Sequence, residues 1–266
     1  MKIRRAIPVI LLLGLILTVH GQESPAGHDI RNEVNRYGQA EVMISYPGRE
    51  VMNRLASKFS VSSCDGLTAV LCLSPRDTGD FIAAGIPYRL VVQEERKGFY
   101  TASSVAEAMQ WQSYPTWKHY DTIMHKIADH WPDLCRLDTI GFSVGGRAVL
   151  ALKISDNPEI DEPEPEVMIS SSIHGDETAG FVLLMRLAEY LASGGGAPAS
   201  GLAADLVSGL EIWINPLANP DGMYRSGDTL TYPIRANSNG YDLNRNFPDP
   251  EVGAPPPLQK ETLDMV

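Results

Sequence analysis

The chain is poor in cysteine, in positive charge and, past its first twenty residues, in long hydrophobic runs. Its three cysteines, Cys64, Cys72 and Cys135, lack the CxxC spacing of a zinc ribbon or a thioredoxin-type redox site. In an exported protein Cys64 and Cys72 could pair, and small buried thiols are the equal alternative. Lys and Arg number 22 against 33 Asp and Glu, a net charge of -11. Without clustered cations the chain is not built to grip polyphosphate, so nucleic acid is not an expected partner. Histidine is scarce as well: there are six, and none follows His174. No internal repeat is present, and the 44% hydrophobic content is enough for a real globular core rather than a fibre or a disordered tail.

One long apolar run exists, at the start. "MKIRRAIPVILLLGLILTVHGQ" has basic Lys2, Arg4 and Arg5, an apolar stretch from Ala6 to Val19 and a small residue, Gly21, at a cleavage position. That stretch is shorter than the ~20 apolar residues of a spanning helix, so residues 1–21 are expected to be a cleaved secretory signal. The expected location is secreted or periplasmic, with no stable membrane association after cleavage. Its removal takes away three positive charges and no negative ones, so the mature net charge is -14.

Two blocks follow. Residues 38–95 contain strand-like "AEVMISYP", amphipathic "GREVMNRLASKF", apolar "LTAVLCLSP", helix-spaced "RDTGDFIAAG" and strand-like "PYRLVVQ". That β-α-β-α-β order implies a small α+β domain with helices on one face of an open sheet. Residues 96–113 read as a linker with a short helix. The second block, residues 114–266, opens with a helix in "PTWKHYDTIMHKIADHWP", bounded by Pro115 and Pro132. "RLDTIGFSVGGRAVLALKIS" reads as a hairpin, and acidic "DNPEIDEPEPE" as a solvated loop, with cation binding the functional alternative. Strand "VMISSSI", helix "TAGFVLLMRLAEYLA" and strand "GLEIWINP" then require a crossover connection. The expected fold class is α/β, a mixed and mostly parallel sheet with helices on both faces, preceded by the small α+β domain.

Three stretches carry chemical residue types. Gly141, Ser143 and Gly145 fit G-x-S-x-G, but an activated serine needs a strand turning into a helix, and here a strand follows; a hairpin turn is the better reading. His174 and Glu177, in "SSSIHGDETAG", fall where a strand ends, the usual place for a cleft in a sheet with crossover helices. Zinc accepts imidazole nitrogen and carboxylate oxygen, but a structural histidine and a helix-start glutamate are equally ordinary. H-x-x-E also differs from the H-E-x-x-H of helical metalloproteases, so a second histidine would have to come from elsewhere. Finally, "RANSNGYDLNRNFPD" gathers Arg235, Asn244, Arg245 and Asn246, donors suited to a carboxylate or an oxyanion, or else to surface salt bridges.

Taken in order, "HGDETAG", "NPLANPDG", "RANSNGYDLNRNFPD" and "QKETLDMV" make residues 114–266 resemble the zinc metallocarboxypeptidases, with "DLNRNFPD" most similar to the branch of carboxypeptidases E and N. The resemblance implies a Zn2+ cofactor, His174 and Glu177 as metal ligands, and Arg235 as the catalytic cation that stabilises the oxyanion. It implies Asn244 and Arg245 as the substrate-binding pair for the terminal carboxylate of peptides or proteins. Asp176 stands where the carboxypeptidase A branch has a substrate-binding arginine, a job its charge forbids. The first block loosely resembles the end of the activation domain of secreted procarboxypeptidases; a permanent accessory domain is the other reading. The family's third ligand, a later histidine, and its general-base glutamate have no match here, Glu251 and Glu261 included. The expectation is therefore a C-terminally truncated, inactive chain of a metallocarboxypeptidase. A related zinc deacylase, a cell-wall peptide amidohydrolase and a non-catalytic peptide-binding protein are the alternatives.

Overall fold

The computed structural model describes residues 27–91, 99–194, 201–225, 227–249 and 257–266, so the expected signal at residues 1–21 lies outside the described residues. Among the described residues no helix is long and apolar enough to cross a membrane.

The N-terminal module is a four-stranded antiparallel sheet in the order β2-β3-β1-β4. Its elements are α1 (His28–Tyr37), β1 (Ala40–Ser45), α2 (Arg49–Ala56), β2 (Ser60–Cys64), β3 (Thr68–Leu73), α3 (Thr78–Ala83) and β4 (Arg89–Leu90). Strict alternation along β1 turns Ala40, Val42 and Ile44 into a core closed by Ile30 and Val34 of α1, Met52 of α2 and Phe81 of α3. Both α1 and β2 are additions to the five elements expected. The β2–β3 turn is made at Asp65–Gly66, where Gly66 takes φ 85° and the Asp65 carboxylate accepts from Leu67 N at 2.8 Å and Thr68 N at 2.7 Å. Cys64 pairs with Ala69, three residues from Cys72 on β3. That offset is about 10 Å along a strand, beyond the reach of a disulfide. All three cysteines are free, and burial pushes the Cys135 thiol up to about 12.

A short helix, α4 (Val105–Ala108), stands in the stretch expected to link the two blocks, capped by the Ser104 hydroxyl. Next comes α5 (Trp117–His130), whose first turn is capped by Thr116 Oγ1 accepting from His119 N at 3.0 Å. Its Tyr120, Ile123, Met124 and Ile127 form one buried stripe at helical spacing. Hairpin strands β5 (Cys135–Phe142) and β6 (Ala148–Ile154) follow, then β7 (Glu166–Ser170), α6 (Ala179–Ala192), α7 (Leu202–Val207) and β8 (Glu211–Asn215). The sheet order is β5-β6-β8-β7. The stripe on α5 packs with Phe181, Met185 and Ala188 of α6 against Leu150, Leu152 and Ile214 of the sheet.

The fold is α/β with a mixed sheet, as expected, but parallel pairing is the smaller part of it: of the three strand pairs described in this second sheet, β5–β6 and β6–β8 are antiparallel and β7–β8 is parallel. The reason is connection length. A five-residue turn between β5 and β6 can only make a hairpin, whereas β7 and β8 are joined across α6 and α7. The turn itself buries Ser143, whose hydroxyl donates to Asp221 at 2.9 Å. G-x-S-x-G is thus a hairpin turn here, with its serine committed to structure.

Candidate metal and substrate site

Strands β7 and β8 run in register, Ser170 beside Asn215, so the loops leaving their C-terminal ends emerge together. The first carries His174 and Glu177, the second α8 (Pro220–Met223) of "NPLANPDG". Asn219 ties them. Its amide Nδ2 donates to the carbonyls of Ile173 and Arg235, each at 3.2 Å, while its Oδ1 caps α8 by accepting from Gly222 N at 2.9 Å. Gly175 lies so close to Gly222 that a Cβ would sit 2.2 Å from its carbonyl carbon. Asp221 bolts the far side, accepting from Ser143 Oγ, from Gly145 N at 2.6 Å, from Arg147 Nη1 at 2.8 Å and from Ser238 Oγ at 3.1 Å.

On this frame His174 is buried and Glu177 is not, its side chain being 58% exposed. His174 Nδ1 lies 2.9 Å from Glu177 Oε1, and Nε2 lies 3.0 Å from Asp242 Oδ1. Arg235 reaches the same place, with Nε 3.2 Å from Asp242 Oδ2 and Nη1 3.5 Å from Glu177 Oε1. Asp242 is the hub. It caps the 3-10 turn Leu243–Arg245 by accepting from Asn244 N at 2.9 Å, and it also accepts from the Ser60 hydroxyl. Burial works to raise its carboxyl, but the bonds from His174 and Ser60 and the charge of Arg235 outweigh it and hold Asp242 far below the usual range. For His174, burial works to lower the imidazole and is outweighed by the hydrogen bond and charge of Asp242, so the net shift is upward.

This donor set fits zinc. One imidazole nitrogen and one carboxylate oxygen converge on a common point, and the other ring nitrogen is held by a carboxylate, the arrangement that fixes tautomer and ring plane in a metal-bound histidine. The structure thus brings together His174, Glu177 and Arg235. Asn244 and Arg245 stand on the adjoining 3-10 turn, both exposed, with Arg245 Nε directed at Ala56 O at 3.3 Å. Asn246 is structural: buried, it accepts from Gln259 N at 2.7 Å and Thr262 Oγ1 at 2.9 Å. Glu261 is buried against Val144 N and Asn237 Nδ2, both at 3.1 Å, and it makes none of the contacts of the His174 cluster.

Sequence reasoning passed over Asp242, although a metal-binding histidine usually needs a carboxylate behind it and "YDLNR" offers one. It foresaw a covering or accessory role for the N-terminal module but named none of the module's contacting residues. Gln39 accepts from Arg235 N at 2.8 Å and donates to Asp176 Oδ2 at 3.1 Å, and Arg76 stacks over the Tyr241 ring at 4.1 Å. The space left between the module and the Asp242–Arg245 turn is a cavity of about 140 Å³ lined by Ser60, Arg76, Tyr241, Asp242 and Arg245 among others. Ligand clefts start at roughly 300 Å³.

The zinc carboxypeptidase family model matches residues 120–262. Mouse carboxypeptidase D is 40% identical over 146 residues, 54% of this chain and 10% of that protein. The rat carboxypeptidase N catalytic chain is 39% identical over 145 residues, 50% of this chain and 32% of that protein. The chain therefore spans about a tenth of the length of the first relative and about a third of the second. Among solved structures, carboxypeptidase A from Helicoverpa armigera superposes with a TM-score of 0.60 at 18% identity, covering 86% of this chain and 65% of that one. Thrombin activatable fibrinolysis inhibitor does so with a TM-score of 0.56 at 17% identity, covering 86% and 67%. Over its matched half, with the motif residues gathered at the ends of the parallel strands, this chain belongs to the zinc carboxypeptidase family.

Proposed function

We propose that the protein takes part in zinc-dependent removal of C-terminal residues from peptides or proteins, with His174 and Glu177 as metal ligands, Arg235 as the oxyanion cation, and Asn244 and Arg245 as the grip on the terminal carboxylate. The observation that carries this reading is that His174 Nδ1 and Arg235 Nη1 both stand against Glu177 Oε1, with Asp242 behind the histidine and the arginine. Bound zinc supplies a Lewis acid and a water acidified to about pKa 7. The chain's own part is positional. Asp242 accepts the Nε2 proton of His174, which leaves Nδ1 as the ligand atom. Arg235, fixed by Asp242, offers a cation that needs no reorganisation as charge develops on the carbonyl oxygen. Asn244 and Arg245 bring amide and guanidinium donors for a planar carboxylate.

Among the described residues the ligand candidates at this site are the His174 imidazole and the Glu177 carboxylate, and the sequence has no histidine after His174. The polypeptide on its own is accordingly proposed to bind zinc weakly and to be inactive, because metal affinity depends on the full ligand set. The N-terminal module is proposed to act as a prodomain-like cover. Its Ala56, Ser60 and Gln39 occupy Arg245, Asp242 and the Arg235 backbone, which keeps a substrate carboxylate out. Residues 1–21 are proposed to direct export, which would place the protein outside the cytoplasm.

The test uses a version extended by the family's remaining ligand and base, with the module removed. Arg235→Ala is expected to lower kcat about 10²–10³-fold with little change in KM, and Arg245→Ala to raise KM for a peptide with a free terminal carboxylate but not for its amide. Unchanged turnover in Arg235→Ala would refute the role given to that residue.

A further inference from the structure

The acidic stretch between β6 and β7 is largely exposed, as expected of a solvated loop, but it is tied at several points to the start of β8. Glu211, the first residue of β8, is wholly buried. Its Oε1 accepts from Glu162 N at 2.8 Å and from Lys153 Nζ at 2.9 Å, while its backbone N donates to Pro165 O at 3.1 Å. Lys153 is spent on that side, donating also to Ile160 O at 2.7 Å. Among the described residues no group donates to Glu211 Oε2, and the Glu166 side chain stands within hydrogen-bond reach of the Glu211 carboxylate. An unpaired oxygen of a buried carboxylate is costly, and a native fold seldom tolerates it without an ion or a water.

What stands beside Glu211 adds to the cost. Glu166 is its neighbour in the β7–β8 register, so two like charges lie side by side on adjacent strands. Asp161 joins them. One carboxylate oxygen from each of Asp161, Glu166 and Glu211 lies within 4.8 Å of the others. That is about the greatest separation two oxygens can have on one calcium ion, whose ligands sit at roughly 2.4 Å. A second acidic group, Asp156, Glu162 and Glu164, adjoins the first, and among the described residues nothing donates to the buried Glu164 Oε2. Burial and the neighbouring carboxylates push the Glu164 carboxyl up, as expected where negative charge is crowded.

We propose that Asp161, Glu166 and Glu211 form a binding site for a hard divalent cation of calcium size, separate from the zinc site. All-oxygen carboxylate ligation suits calcium better than magnesium, which holds its waters and demands a tight octahedron, and it does not suit zinc, which favours nitrogen and sulfur. The ion would join the 155–165 loop to the starting ends of β7 and β8. The ends of the same two strands that lead to His174 and Asn219 lie about 13 Å further along. Its task is structural: it removes the repulsion between Glu166 and Glu211, so that the parallel pair holding the catalytic loops stays in register.

The experiment uses the 266-residue chain and terbium as a luminescent calcium probe. Trp213, two residues from Glu211 on β8, with Lys153 Nζ 5.8 Å from its ring centroid, serves as the antenna. Saturable terbium emission is expected, displaced by calcium but not by equal magnesium. Calcium should raise the melting temperature by ~3 °C or more, reversed by EGTA. Because Glu211→Gln would leave the buried Lys153 without its charge partner, the variants are Asp161→Asn and Glu166→Gln, both at exposed positions. Each should weaken terbium about tenfold or more and lose the calcium shift; in EGTA the melting temperature should stay the same in Asp161→Asn and rise in Glu166→Gln, which relieves the repulsion on Glu211 without the ion. Absence of saturable emission, full affinity in both variants, or loss of emission in His174→Ala would each overturn the proposal.

Discussion

Replacing Asp242 by asparagine isolates the contact on which the site depends. Oδ1 takes His174 Nε2 at 3.0 Å and Asn244 N at 2.9 Å, and Oδ2 takes Arg235 Nε at 3.2 Å together with the Ser60 hydroxyl. Asparagine keeps the shape but can serve only one side. If its oxygen stays with His174, its NH₂ faces the guanidinium, donor against donor. In either orientation the imidazole loses a charged acceptor. Loss of such a partner behind a metal ligand costs 10–100-fold in affinity as a rule, or about 1.4–2.7 kcal/mol. The assay is zinc competition against a chromogenic chelator at neutral pH, with circular dichroism and a melting curve to show that the fold is intact. Ser60→Ala, which removes one of the four bonds and no charge, should change zinc affinity by less than about threefold. If a folded Asp242→Asn protein binds zinc within about twofold of the parent, Asp242 does not orient His174 and the argument from convergence fails.

Asp221→Ala should be among the most damaging single changes, since it strips the partner of Arg147 and a buried acceptor of three further bonds. A loss of ~3–5 kcal/mol is expected, read as a lower urea midpoint for the C-terminal domain. Glu107 provides a pH test. The Ser103 hydroxyl, the Tyr100 hydroxyl and the Ser103 amide lower its carboxyl from 4.5 to about 2. Because the folded value is depressed, its stabilising contribution is complete above 4.5 and disappears as pH falls toward 2. Carboxyl NMR should find that titration, and Ser103→Ala should move it back up; a Glu107 that titrates near 4.5 in the parent protein would rule out these bonds in solution.

Most of the fold was legible where patterns were long. The stripe on α5, the β5–β6 hairpin and the β7–helix–β8 crossover follow from periodicity and turn residues, and all are present. The elements passed over are short or polar. "HDIRNEVNRY" has two buried core residues, Ile30 and Val34, in ten, "SVSSC" is mostly serine, and "LAADLV" makes under two turns. Elements of that size are held by tertiary packing rather than by their own propensity. One signal was nonetheless available: Asp65–Gly66 between alternating residues is a strong hairpin marker, and it would have found β2.

The sequence by itself determined the family, the strand-end position of His174 and Glu177, and the structural character of Ser143, because each is encoded within a contiguous motif. Tertiary structure alone decided the rest. Asp242 stands 68 residues from His174 and Gln39 stands 196 from Arg235, so no local pattern could announce that they meet. The same holds for Asp161, Glu166 and Glu211, which look like a solvated acidic loop and a strand start until the parallel pairing of β7 with β8 sets their carboxylates together. Chemistry that depends on one residue type is legible in a chain; chemistry that depends on two distant charges meeting is created by the fold.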